Sequence, residues 1–105
     1  MKKFFGGVFL DKESLKEAGI NHPIKLDYYK RINEEYNTEI KNEKYGLSIV
    51  KTEYINKKIK VEEKVIKHLT NDEKKLDFIL QTLKKSRVTP FGLDDIIFEF
   101  AKQIL

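Results

Sequence analysis

Cysteine occurs nowhere in the 105-residue chain. A disulfide framework, a thiolate zinc site and a cysteine nucleophile are therefore excluded. No apolar run approaches the ~18 residues of a membrane-spanning helix, so no membrane partner is expected. The start, Met1 to Leu10, is basic and then apolar. Its apolar stretch is broken by Gly6-Gly7, stops at Asp11 and leads to no small-residue cleavage site, so it reads as a strand and the protein as cytoplasmic.

Groups placed for catalysis are equally scarce. His22 and His68 are far apart, and neither forms a spaced pair with another metal-competent side chain. Nothing marks Ser14, Ser48 or Ser86 as an activated nucleophile. Of the adjacent carboxylates, Glu62 and Glu63 would point to opposite faces of a strand. Asp94 and Asp95 suit the positive end of a helix dipole. The expectation is a non-enzymatic protein with no catalytic residues, no cofactor and no metal.

What the chain does have is charge. Lysine and arginine number 21 against 17 acidic residues, a net charge of +4, while 40% of residues are hydrophobic. That composition suits a folded protein of one domain, able to bury about 65% of its unfolded surface. The basic excess is mild, and residues 89–105 are acidic, with Asp94, Asp95 and Glu99 against Lys102.

The patterning predicts an α+β fold. Phe4 to Leu10 reads as a strand with a bulge, a bend or a close backbone approach at Gly6-Gly7. Asp11 to Gly19 reads as a short helix with Gly19 in the left-handed closing position. Ile24, Leu26, Tyr28 and Ile32 alternate along a second strand, which Lys30 interrupts in the manner of an edge strand. The polar stretch from Asn33 to Lys44 is a candidate mobile loop, although Tyr36, Thr38 and Ile40 could extend a strand. In Tyr45 to Ile55, Tyr45, Leu47 and Ile49 face the core and Ser48 and Thr52 lie opposite. Asn56-Lys57-Lys58 then turns the chain into a partner strand beginning at Ile59-Lys60-Val61. Ile59 and Val61 are out of phase with Ile66 and His68, which predicts a bulge or break near Glu62-Glu63-Lys64.

Thr70 to Glu73 has the form of a capping box, followed by the helical stripe Leu76, Ile79, Leu80, Leu83. Thr89 as cap and Pro90 at the first helical position open a second helix with the stripe Leu93, Ile96, Ile97, Phe100, Ala101 and Ile104. The expected architecture is a small antiparallel sheet of three to four strands packed against a C-terminal helical hairpin. A Tyr-Gly-x-x-Ile strand (Tyr45, Gly46, Ile49) is followed by Val-Thr-Pro-x-x-Leu-x-Asp-Ile-Ile (Val88, Thr89, Pro90, Leu93, Asp95, Ile96, Ile97). Over residues 24–105 this resembles a family of small bacterial proteins known only as a domain of unknown function. The resemblance supports the fold and implies no activity.

Two binding functions remain. Phe91, Phe98 and Leu105 fall off the main stripe of the last helix, where they would form a homodimer or partner surface, with exposed Tyr29 and Tyr54 as further aromatic anchors. This is the favoured expectation: a small binding protein that regulates or inhibits a partner protein by surface contact. One concrete form would be a mobile-element inhibitor of a host defence complex. The alternative is a nucleic-acid-binding module using Tyr28, Tyr29, Lys30 and Arg31. Lys57, Lys58 and Lys60 at a hairpin end and Lys84, Lys85 and Arg87 at the interhelical turn would then converge with that strand.

Overall fold

A computed structural model describes residues 1–33 and 43–103, the last three as backbone alone. Four strands form one antiparallel sheet in the order β1 (Lys2–Leu10), β2 (Ile24–Ile32), β3 (Tyr45–Ile55) and β4 (Lys58–Thr70). Two helices follow, α1 (Glu73–Lys85) and α2 (Leu93–Gln103). This is the expected α+β arrangement of a small antiparallel sheet with C-terminal helices. No helix among the described residues is long and apolar enough to cross a membrane. The proposed mobile loop, with Tyr36, Thr38 and Ile40, falls mostly outside the described residues. At its boundaries the Asn33 amide donates to the Lys44 carbonyl at 2.9 Å.

Period-two alternation decides which side of the sheet is buried. Leu10, Ile24, Leu26, Tyr28, Leu47 and Ile49 point toward the helices and meet Leu76, Ile79, Leu80 and Leu83 of α1, with Leu93 at the start of α2. Removing these side chains from water is the main stabilising term, worth roughly 1.5–3 kcal/mol for each large one. Lys30 stays in this pattern. It shares the helix-facing side with Tyr28, and its ammonium lies 2.6 Å from Asp77 Oδ1 and 3.2 Å from Glu73 Oε2 on α1. Strand β2 pairs with β1 on one side and β3 on the other, so it is an interior strand and not an edge. An ion pair with the covering helix lets a lysine occupy the buried side.

Several local signals act differently from their sequence reading. The segment after β1 is a series of turns with one 3₁₀ turn, Lys16–Ala18, closed by Gly19 at φ 76°. Asp72, not Thr70, caps α1: its carboxylate accepts from the Lys74 and Lys75 amides, while Thr70 Oγ1 accepts from the Asp72 amide. Thr89 makes no side-chain cap, and a 3₁₀ turn, Pro90–Gly92, precedes α2. Ile96 is 37% exposed, because α2 turns Leu93, Ile97 and Phe100 toward the core instead. Ala101, Ile104 and Leu105 lie outside the described side chains.

The bulge in β1 is where the glycines predict it, with the register shifting between Phe4 and Gly6. That in β4 is not. Pairing is regular from Ile55↔Lys58 to Leu47↔Ile66, then shifts opposite Gly46 so that Tyr45 faces Thr70. Glu62 to Lys64 carry no bulge. Ile59 and Val61 are out of phase with Ile66 because they occupy the other face. At the shift the carbonyls of Ile66 and Lys67 come so close to Gly46 that a Cβ there would collide with both. The β3–β4 turn consists of Asn56 and Lys57 alone, both left-handed at φ 46° and 69°. Such a two-residue turn with both φ positive matches strand twist, and it ordinarily places glycine second.

Two substitutions test this account by urea denaturation. Gly46→Ala should destabilise by at least about 3 kcal/mol, because backbone and not a flexible side chain must move. Lys57→Gly should stabilise by about 1 kcal/mol by removing the left-handed strain of a β-carbon. A neutral Gly46→Ala would refute the close approach.

Candidate interaction surfaces

The helix-facing side of the sheet captures part of the proposed nucleic-acid strand. Tyr28 is fully buried, and its hydroxyl donates to the Val88 carbonyl at 2.9 Å. Burial pushes the phenol well above its usual range. A ring held this way cannot stack on a base. Burial by itself lowers the pKa of Lys30, but hydrogen bonds and attraction to Asp77 and Glu73 outweigh it and hold the pKa above the ordinary lysine value. Only Tyr29 and Arg31 of the proposed strand point to the other side.

Nor do the basic clusters converge. Lys30 pairs with Leu47, whereas Lys58 pairs with Ile55, eight residues along β3 and about 26 Å away at 3.3 Å per residue. Lys57 forms the hairpin tip, and Lys60 stands with Glu53 and Glu62 on the helix-facing side. Lys84 lies against Gly6 of β1, while Lys85 and Arg87 are exposed at the end of α1, with Arg87 left-handed at φ 55°. These cations occupy three separate places and two sides of the sheet.

Beyond the edge of α1, the helix-facing side holds a charged cluster that period-two reasoning did not mark. Glu53 is buried on β3, with its carboxylate 3.1 Å from His22 Nε2, 3.7 Å from Lys51 Nζ and 4.0 Å from Lys60 Nζ. Burial raises the pKa of Glu53, but the His22 hydrogen bond and the two ammonium groups together bring it below the ordinary value. His22, read as a loop histidine, is thereby tied to the sheet. His68 Nδ1 lies 3.0 Å from the Glu43 carbonyl beside Asn33. No group of metal-competent side chains occurs among the described residues.

The side of the sheet without helices is the larger surprise. It presents Phe4 and Phe9 of β1, Tyr29 of β2, Val50 and Tyr54 of β3, and Ile59, Val61 and Val65 of β4. Phe4 meets Tyr29 edge to face at 5.6 Å, and Lys2 Nζ stands 4.2 Å over the Tyr29 ring. The same ammonium reaches Glu63 Oε2 on β4 at 2.7 Å. Flat strands three spacings apart would be separated by about 14 Å, so this contact requires the sheet to coil toward its open side. Beneath it Ser48 and Asp27 are buried, and Ser48 Oγ and Asp27 Oδ1 have no hydrogen-bond partner among the described residues. Of these surface residues only Tyr29 and Tyr54 stood out in the sequence as interface candidates. The alternation Ile59, Val61, Val65 was the available signal: it marks a second apolar face rather than a slipped register.

A third surface lies on α2. Phe91, in the turn before the helix, is 95% exposed, and Phe98, seven residues on, is 62% exposed. Asp94 and Asp95 lie between them, with Asp94 Oδ2 3.0 Å from Lys64 Nζ. Another side of α2 contributes Ile96 and Phe100 to a cleft of about 200 Å³ that Leu83 and Val88 complete. Leu105, the third residue off the main stripe, lies outside the described residues.

These features define a small α+β domain with one face of its sheet covered and the other open. The chain belongs to a family described as a family of unknown function (DUF6514), whose model matches residues 9–103. The match takes in only Phe9 and Leu10 of β1, yet reaches farther toward the N-terminus than residues 24–105 over which the motif resemblance runs. Neither a curated protein nor a solved structure matches the chain.

The Glu53 cluster predicts an acid limb to the stability curve. Because the folded pKa is depressed, the contribution is present above the unfolded value and is lost as pH falls through the folded one. Urea midpoints measured between about pH 6 and pH 3 should fall less steeply in Glu53→Gln than in the wild type. Equal slopes would remove Glu53 from the acid response.

Proposed function

We propose that this protein is a non-enzymatic binding module that regulates or inhibits a partner protein by contact through the outer face of α2. The observation that carries the reading is the almost complete exposure of Phe91, seven residues before Phe98, which is 62% exposed. A phenylalanine ring left in water makes no packing contribution to its own fold, whereas aromatic side chains are common anchors of protein interfaces. Between the two rings in sequence, Asp94 is paired with Lys64 and Asp95 adds a further carboxylate, which gives this segment an acidic character in a basic chain. A partner with a basic rim around an apolar pocket would complement it. Inhibition of a host defence complex by a mobile-element protein is one form such contact could take.

Nucleic-acid binding is the less favoured reading, since Tyr28 and Lys30 are engaged against the helices and the remaining cations are dispersed. A tagged pull-down from the source cell at physiological salt, with and without nuclease, separates the two. A discrete protein should survive nuclease and be lost from Phe91→Ala/Phe98→Ala, while Tyr29→Ala/Arg31→Ala retains it. Recovery abolished by nuclease, or a partner indifferent to both phenylalanines, would overturn the proposal.

A further inference from the structure

The open side of the sheet carries an inference independent of the α2 face. Phe4, Phe9, Tyr54, Ile59, Val61 and Val65 there range from 37% exposed at Tyr54 to 67% at Ile59. With a whole aromatic side chain presenting 150–250 Å², their exposed parts amount to roughly 600 Å² of apolar surface. That is the upper end of what a monomeric protein usually leaves in water, about 300–600 Å². We propose that a second copy of this chain covers this face, the two sheets packing against each other as a symmetric dimer.

Three observations select a second copy as the occupant. The first is area: two such faces in contact would remove about 1,200 Å² from water, which reaches the range of stable specific interfaces. The second is charge. Lys2 is paired with Glu63 and Lys25 with Asp27 within the chain. The polar floor of Ser48 and Asp27 is already buried. Apart from Arg31 at the end of β2, the outer layer is therefore apolar or internally charge-paired and offers little that is repelled by its own copy, as in homodimer interfaces. The third is architecture. An apolar sheet face is ordinarily covered by a helix or by another sheet about 10 Å away. The helices are committed to the opposite side, and the sheet of a second copy supplies the missing layer. A second copy is also the one protein present in proportion whenever this chain is made.

Val61→Glu and Ile59→Lys test the proposal at exposed positions, with far-UV circular dichroism to establish that each variant folds. The wild type should sediment at twice its chain mass of 12.4 kDa at micromolar concentration. Val61→Glu should weaken dimerisation at least about a hundredfold, because it buries two uncompensated carboxylates. Phe91→Ala should leave the dimer intact. Should a variant fail to fold, the cysteine-free chain allows a second route. A spin label on Thr52→Cys should report a single short intermolecular distance, and one on Lys85→Cys a longer one. A monomeric wild type overturns the dimer, even if a different protein proves to need Val61; a dimer indifferent to both open-face variants does so as well. Neither result bears on the α2 contact, which is read by loss of a partner from the Phe91 and Phe98 variants.

Discussion

The hydrogen bond from the Tyr28 hydroxyl to the Val88 carbonyl connects the middle of the sheet to the turn between the two helices. Tyr28 is on an interior strand, with β1 on one side and β3 on the other, and its ring fills the space beneath α1. The peptide it holds follows a left-handed residue, Arg87, which ends α1, with the Val88 amide donating back to the Leu83 carbonyl. Both hydrogen-bonding groups of Val88 are thus occupied at the point where the chain reverses. The direction in which α2 leaves depends on this anchor, and so does the outward aim of Phe91 and Phe98. A buried phenol without that acceptor would carry an unmet polar group in the core, which costs far more than the bond gains.

The sheet is shaped by a second constraint at its other end. Gly46 admits the carbonyls of Ile66 and Lys67 at a distance that any β-carbon would forbid. The extra residues of β4 crowd there, and the increased local twist of such an irregularity helps to coil the sheet toward its open side. The Tyr-Gly-x-x-Ile motif acquires a physical meaning from this: the tyrosine and isoleucine face the helices, and the glycine makes room for backbone. Motif residues that pack or turn the chain in this way report how the fold is built and say little about what it contacts.

The two outer surfaces have different characters, and the difference bears on their roles. The α2 face combines a few prominent rings with carboxylates, a composition suited to a partner that comes and goes. The open sheet face is broad, mainly apolar and internally charge-paired, a composition suited to lasting cover. A domain so divided would associate with itself through the sheet and with a target through the helix.

Sequence alone determined the elements whose signals are local. Alternation placed Ile24, Leu26 and Tyr28 on one side of a strand, and the 3.6-residue stripe identified Leu76, Ile79, Leu80 and Leu83 as the core of α1. The glycine pair marked the place in β1 for a bulge, a bend or a close backbone approach, and the strand pairing shows the bulge there. Tertiary structure decided everything that depends on which neighbour a residue acquires. Lys30 looked like an interruption until Asp77 and Glu73 arrived from residues more than forty positions away. Tyr28 read both as a member of the apolar face and as a ring beside cations, and α1 with the Val88 carbonyl decided between the two. Ile59 and Val61 looked out of register because a one-dimensional pattern carries only phase. That phase separates the two faces of a strand, but whether each face meets a helix, water or another chain is a property of the folded neighbours.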